Sequence, residues 1–183
     1  MGLIAKGDQA AFTELMSRFM RPLTVFATRF LSSKSDGEEV AQTVFIEVWR
    51  KARTFDPAKA SVKTWLYSIA RNRCIDTIRK RRLRQFVGLD SSAADIASTD
   101  AEPSQIAADR AELRAVLDAL EQLPDRQRLA LLLQVVSDMS TREIAETMAT
   151  SDGAVEQLIR RARQTLRQKF NRISDVRTKG VEK

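Results

Sequence analysis

A chain of 183 residues, 43% hydrophobic and 30% charged, can bury one large core or two small ones. Its formal charge of +7 favours a polyanionic partner. With no histidine and the single cysteine Cys74, an internal disulfide, a Cys/His zinc site and every Ser-His or Cys-His catalytic arrangement are excluded. No Asp/Glu cluster has ligand spacing either, so no catalytic residue, metal, cofactor or small-molecule substrate is expected. No run of about 18 apolar residues predicts a membrane span, and the N-terminus lacks the apolar core of a signal peptide, so a cytoplasmic protein is expected. Four prolines, six glycines and few alternating β-branched runs point to an all-α fold.

Residues 8–31 carry Phe12, Leu15, Phe19, Leu23, Phe26 and Phe30 in steps of three and four, which predicts an amphipathic helix or helix pair. Pro22 is expected to kink it or to begin a second helix. A further helix opens at Ser35-Asp36-Gly37-Glu38-Glu39, with acids in its first turn. Val40, Val44 and Val48 make a packed face, while Ile46 and Trp49 fall roughly opposite. A helix apolar on both sides is fully buried or meets a partner. Asp56-Pro57 ends it, and a basic loop leads into the helix of Trp65 to Arg79.

In that helix Leu66, Ile69, Ala70 and Cys74 share an inner face. Trp65, Ser68, Asn72, Asp76 and Arg79 share the opposite side, a mixture suited to stacking on unpaired bases and reading their edges. The bland alternative is a solvated face with a half-buried tryptophan. Arg79-Lys80-Arg81-Arg82-Leu83-Arg84 follows, a run able to neutralise phosphates without reading sequence.

Residues 86–109 contain Asp90, Asp95, Asp100, Glu102 and Asp109 and no Lys or Arg, which predicts an acidic flexible linker. Two small basic helical domains, 1–85 and 110–172, are therefore expected on either side, with a frayed tail at 173–183. The second contains Leu113, Val116, Leu117 and Leu120 on one helix. Leu123-Pro124 stops it, and a second helix follows with Asp125 as its cap. Ser140-Thr141-Arg142-Glu143 is a capping box, Ser151 a further N-cap, and Val155, Ile159, Ala162, Leu166 and Phe170 one face of a final basic helix. A short helix, a tight turn and a basic helix are the outline of a DNA-reading helix-turn-helix.

Four ordered patterns then carry a resemblance. They are Gly7-Asp8-x-x-Ala11-Phe12; Glu39-Val40-x-Gln42-x-x-Phe45-x-x-x-Trp49; and Trp65-Leu66-x-x-Ile69-Ala70-x-Asn72-x-x-x-Asp76-x-x-Arg79. The last is Leu123-Pro124-x-x-x-Arg128, then Ser140-x-x-Glu143-Ile144-Ala145, then Gly153-x-Val155 through Arg161-Ala162-Arg163. Over residues 3–172 the chain resembles the extracytoplasmic-function sigma factors of bacterial RNA polymerase. The resemblance implies promoter-specific initiation with core polymerase, bound through the clamp of its largest subunit and the flap of its second. It implies that Glu39, Gln42, Thr43, Ile46 and Trp49 face polymerase. Lys59, Ser61 and Lys63 would lie in a loop that captures a flipped −10 base, with Trp65, Asn72, Asp76, Arg79 and Lys80 beside it. Thr141, Gly153, Glu156, Gln157, Arg160, Arg161 and Arg163 would read the −35 element. The linker would thread toward the polymerase active site, and an anti-sigma partner is implied. The family usually has glycine where this chain has Ala149, and often Lys and Arg where it has Glu156 and Leu158, so an unusual −35 preference is expected. Two other readings compete: a stand-alone helix-turn-helix regulator, and a sigma-like decoy for an anti-sigma factor.

Overall fold

Ser and Asp residues placed just before apolar periodic runs start most of the helices of this chain. Asp8 accepts from the Ala11 N–H at 2.9 Å and opens α1 (Gln9–Leu31). Ser33 caps α2 (Lys34–Lys51), and Ser61 caps α3 (Val62–Phe86) through the Thr64 N–H at 3.0 Å. Each such bond satisfies a donor that the first turn leaves without a partner. In the second half come α4 (Ser104–Glu121), α5 (Asp125–Val135), α6 (Thr141–Met148) and α7 (Asp152–Gly180). The computed structural model describes residues 1–87 and 104–180, with side chains left out at 104–110, 112 and 172–180. Among the described residues there is no strand, and no helix is long and apolar enough to cross a membrane.

The chain forms two helical domains, as expected. In the first, α1 and α2 make a hairpin turned at Ser32, whose φ of 53° is left-handed. Gly37 lies where the two helices cross. A Cβ there would sit 2.6 Å from the Thr28 backbone nitrogen and 2.7 Å from its Cα, so only glycine allows this approach. Helix α3 closes the domain over Leu23, Phe26, Phe30, Val44, Val48, Leu66 and Tyr67, all fully buried. In the second, α5, α6 and α7 bury Leu129 to Leu133, Ile144, Met148, Val155, Ile159 and Ala162.

The two domains pack on one another, α6 against α3 and α5 against α1, so that one apolar cluster runs through both. Arg128 of α5, only 8% exposed, holds its guanidinium 5.1 Å from the centre of the Phe30 ring of α1.

The structure departs from expectation in four places. Helix α1 runs unbroken through Pro22. The carbonyl that Pro22 leaves without a donor is that of Arg18, on a side of the helix where the side chain is 69% exposed and water can serve it. Helix α4 begins at Ser104, inside the stretch read as linker; residues 88–103 of that stretch lie outside the described residues. Helix α7 continues past Phe170 to Gly180, because Asn171 to Lys179 includes no proline or glycine to stop it. Asp125 is the first residue of α5 rather than its cap; Pro124 holds the cap position without a side-chain bond.

Candidate nucleic-acid interface

Helix α2 turns Val40, Ala41, Val44, Phe45 and Val48 into the core. Its opposite side carries Glu39, Gln42, Ile46 and Trp49, all exposed, with Thr43 half-buried among them. Ile46 is 52% exposed, and Trp49 rests edge-on against Phe12 at 5.0 Å. The five residues expected at polymerase thus share one surface. Beneath them Glu47 receives Lys51 at 2.6 Å and Arg73 of α3. Burial raises the Glu47 pKa, but the hydrogen bonds from Lys51 and Arg73 outweigh it and leave the carboxyl below its ordinary value.

On α3, Trp65 is half-buried against Phe55, with ring centroids 5.4 Å apart. Asn72 is exposed and accepts from Arg71 at 3.2 Å, while Asp76 accepts from Arg73 at 3.3 Å. With Arg79 they lie along one side of the helix, and Lys80 is exposed beside them. The preceding loop is shaped by Asp56, whose carboxylate accepts from the Ala58 N–H at 3.0 Å and lies 3.5 Å from Lys59 Nζ. Ser61 is spent partly on its cap.

Lys63 does not join this group. It faces the second domain, donating to the Asp138 carbonyl at 2.6 Å. The basic run is divided as well. Arg81 donates to the Leu31 carbonyl at 2.9 Å and to the Asp36 carboxylate, and Arg82 pairs with Asp125 at 2.8 Å. Sequence reasoning missed that Leu83 and Phe86, 64% and 90% exposed, extend the Trp65–Arg79 side. Their spacing of four and seven from Arg79 was the available signal.

The second domain carries the helix-turn-helix. Its capping box is complete: Ser140 accepts from the Glu143 N–H, and Glu143 accepts from the Ser140 N–H at 2.9 Å. That backbone donor, with the Ser140 hydroxyl, holds the Glu143 carboxyl below its ordinary pKa against the effect of burial. The turn residue is Ala149, left-handed at φ 50°, ψ 56°. Ser151 caps α7 by accepting from the Ala154 N–H at 3.3 Å.

Gly153, Glu156, Gln157, Arg160, Arg161 and Arg163 are exposed along α7, and Thr141 is half-buried at the start of α6. An open groove of about 610 Å³ joins Thr141, Glu156, Arg160 and Arg163 to Arg167, which continues the arginine spacing of α7, and to Gln134 and Gln164, which sequence reasoning had not singled out. Gln134 accepts from Arg163 at 2.8 Å across it. Three guanidiniums, several amides and one carboxylate suit phosphate contacts together with base-edge reading.

Comparison with known proteins agrees with this layout. Residues 15–84 match the family model for Sigma-70 region 2, and residues 113–166 that for Sigma-70, region 4. The chain is 36% identical over 167 residues to the ECF RNA polymerase sigma factor RpoE of Cereibacter sphaeroides, covering 88% of this chain and 87% of that one. It is 33% identical over 168 residues to the RNA polymerase sigma factor CnrH of Cupriavidus metallidurans, with 88% and 87% covered. Against SigG of Mycobacterium tuberculosis it is 32% identical but spans only 48% of that longer protein. The solved structure of CnrH in complex with the cytosolic domain of CnrY superposes with a TM-score of 0.70 at 26% identity, covering 93% of this chain and 94% of that one. RpoE from Bartonella quintana, solved with the anti-sigma factor NepR, shares the fold with a TM-score of 0.72 at 24% identity, covering 88% and 97%. Two matched regions in the right order, and relatives similar over nearly their whole length, show that the chain belongs to the extracytoplasmic-function sigma factors of bacterial RNA polymerase.

Proposed function

We propose that the three surfaces divide the work of promoter recognition. The exposed side of α2, with Glu39, Gln42, Thr43, Ile46 and Trp49, docks on core polymerase. The loop around Lys59 and Ser61 captures one displaced base of the −10 element, and Trp65, Asn72, Asp76, Arg79 and Lys80 hold the strand beside it. Helix α7 enters the major groove of the −35 element with Gly153, Glu156, Gln157, Arg160 and Arg161, while Thr141 and Arg163 meet its backbone. The protein makes and breaks no bond; it supplies binding energy that offsets unpairing and unstacking. It acts in the cytoplasm, and an anti-sigma protein binds it, as the anti-sigma factor NepR binds RpoE from Bartonella quintana.

The observation that carries the reading is the second face of α2. An exposed isoleucine and tryptophan beside three polar residues, on a helix whose other side is fully buried, is a surface made for a partner. Run-off transcription with purified core polymerase tests it. A promoter-dependent transcript is expected, and at least a tenfold loss of core binding with Ile46→Asp, whose side chain lies outside the core. A transcript from no promoter, or tight promoter binding at physiological salt without polymerase, would overturn the reading.

A further inference from the structure

Helices α2 and α3 are joined by a chain of charges that ends on the Trp65–Arg79 side of α3. Lys51 Nζ lies 2.6 Å from one oxygen of Glu47, and Arg73 Nε donates to the other. The same guanidinium reaches Asp76, with Nη1 3.3 Å from Oδ2. The Glu47 side chain is only 13% exposed, whereas Arg73 and Asp76 stand at the surface at 40% and 44%. Arg73 is thus anchored from below and presented to Asp76 from beside it. Among the described residues, Asp76 Oδ1 has no donor, and neither Arg79 nor Lys80 pairs with this carboxylate. A tie between α2 and α3 would be complete with Arg73 and Glu47 alone. The outward reach of Nη1 to Asp76 adds nothing to that tie.

We infer that Arg73 is a positioning residue for promoter reading: held by Glu47, it neutralises Asp76 and leaves Asp76 Oδ1 to accept from a displaced base that bears an exocyclic amino group. The inference rests on the function proposed above. A bare carboxylate repels the phosphates of a strand, so one placed on a strand-binding surface needs a cation beside it. The planar fork of a guanidinium can face two carboxylates at once, which the point charge of an ammonium cannot do as well. An ionised carboxylate only accepts, so its free oxygen suits the amino group of cytosine or adenine, while O4 of thymine offers no proton there. Glu47 in turn keeps Arg73 from the phosphates. The arginine thereby adds to the choice between bases instead of to sequence-independent binding.

Selection from a single-stranded library randomised over the −10 element, by the full chain on saturating core polymerase, tests this. Wild type is expected to favour an amino-bearing base over thymine about tenfold at one position. Asp76→Ala should flatten that position. Arg73→Gln should flatten the same position and no other, and combining the two should change nothing further. Arg73→Lys keeps a cation for Glu47 and so keeps the fold, yet should also lose the preference. Glu47→Gln should weaken the preference and free Arg73 for phosphate, steepening the log–log salt dependence of strand binding by about 0.7. A merely structural tie would lower the Tm and weaken every position alike. An Arg73→Gln or Arg73→Lys protein that keeps the full preference, or one that weakens all positions equally, would overturn the inference. So would a Glu47→Gln protein with unchanged preference and salt slope, or an Asp76→Ala protein that flattens nothing. A wild type that selects no −10 sequence at all would defeat the proposed function, and this inference with it.

Discussion

Replacing Gly37 with alanine sets two effects against each other, and the structure decides between them. Alanine in a helix interior is favoured over glycine by about 1 kcal/mol. Yet the new methyl would lie 2.6 Å from the Thr28 nitrogen and 2.7 Å from its Cα, besides meeting the Thr28 hydroxyl. Ordinary carbon contacts sit at about 3.5–4.0 Å, so the α1–α2 crossing must open by roughly 1 Å over the packed side chains of Phe26, Phe30 and Val44. Overpacking of this kind costs about 1–3 kcal/mol, and with backbone atoms in the way the upper end applies. The net loss is about 2 kcal/mol, a fall in Tm of about 4–8 °C for a chain of this size. Urea unfolding followed by circular dichroism measures it. Thr28→Ala in the same chain should not rescue the variant, because it removes the hydroxyl but neither the nitrogen nor the Cα. A Gly37→Ala protein as stable as wild type, or one fully rescued by Thr28→Ala, would refute the reasoning.

Three further outcomes follow from the second domain. Ser140→Ala should cost about 1 kcal/mol by removing the cap acceptor. The folded-state pKa of Glu143 is depressed, so its contribution is present at neutral pH and lost as pH falls through that depressed value; in Ser140→Ala the loss of stability between neutral pH and acid should be smaller, which thermal melts across a pH series would show. Ala149→Gly should stabilise the protein: left-handed backbone costs alanine about 1–2 kcal/mol, and glycine returns about 0.4–1 kcal/mol as unfolded-chain entropy, so a gain of about 0.5–1 kcal/mol in urea unfolding is expected, and a loss would contradict the turn geometry. Glu156→Lys should change the preferred −35 sequence in a promoter-selection assay, since a carboxylate accepts from the cytosine amino group and an ammonium cannot; an unchanged preference would remove Glu156 from the reading surface.

Much of this architecture is legible in the sequence because helical periodicity and capping act locally. The buried stripes of Val40, Val44 and Val48, of Ile144 and Met148, and of Val155, Ile159 and Ala162 follow from spacing alone. So does the capping box at Ser140, and the shared exposed side of α2 follows from two apolar residues on the wrong face. What spacing does not give is the identity of a distant partner. Arg79, Arg81 and Arg82 look alike in the run, yet Arg81 is tied to Asp36 and the Leu31 carbonyl and Arg82 to Asp125, both far away in the chain. Lys63 reads as a loop cation and turns out to face Asp138. Gly37 reads as a weak helix residue, because the need for a bare Cα arises only when α1 crosses it. Proline at 22 reads as a break, but one missing hydrogen bond on a solvent-facing turn does not outweigh the buried apolar stripe that continues past it.

The division of the basic run carries a consequence for how the protein senses its ionic surroundings. Among the described residues, Arg79, Lys80 and Arg84 have no ion pair, while Arg81 and Arg82 are neutralised by the protein itself. Each phosphate met by a free cation releases condensed counterions, with a slope of roughly −0.7 in log–log terms per contact on a single strand. Three such cations give a slope of about −2, where a fully available run of five would give about −3.5. The end of α3 is thus a weaker electrostatic anchor than its composition suggests. In the proposed function, its hold on the displaced strand would fall off more gently as salt rises, and stacking on Trp65 would carry a larger share.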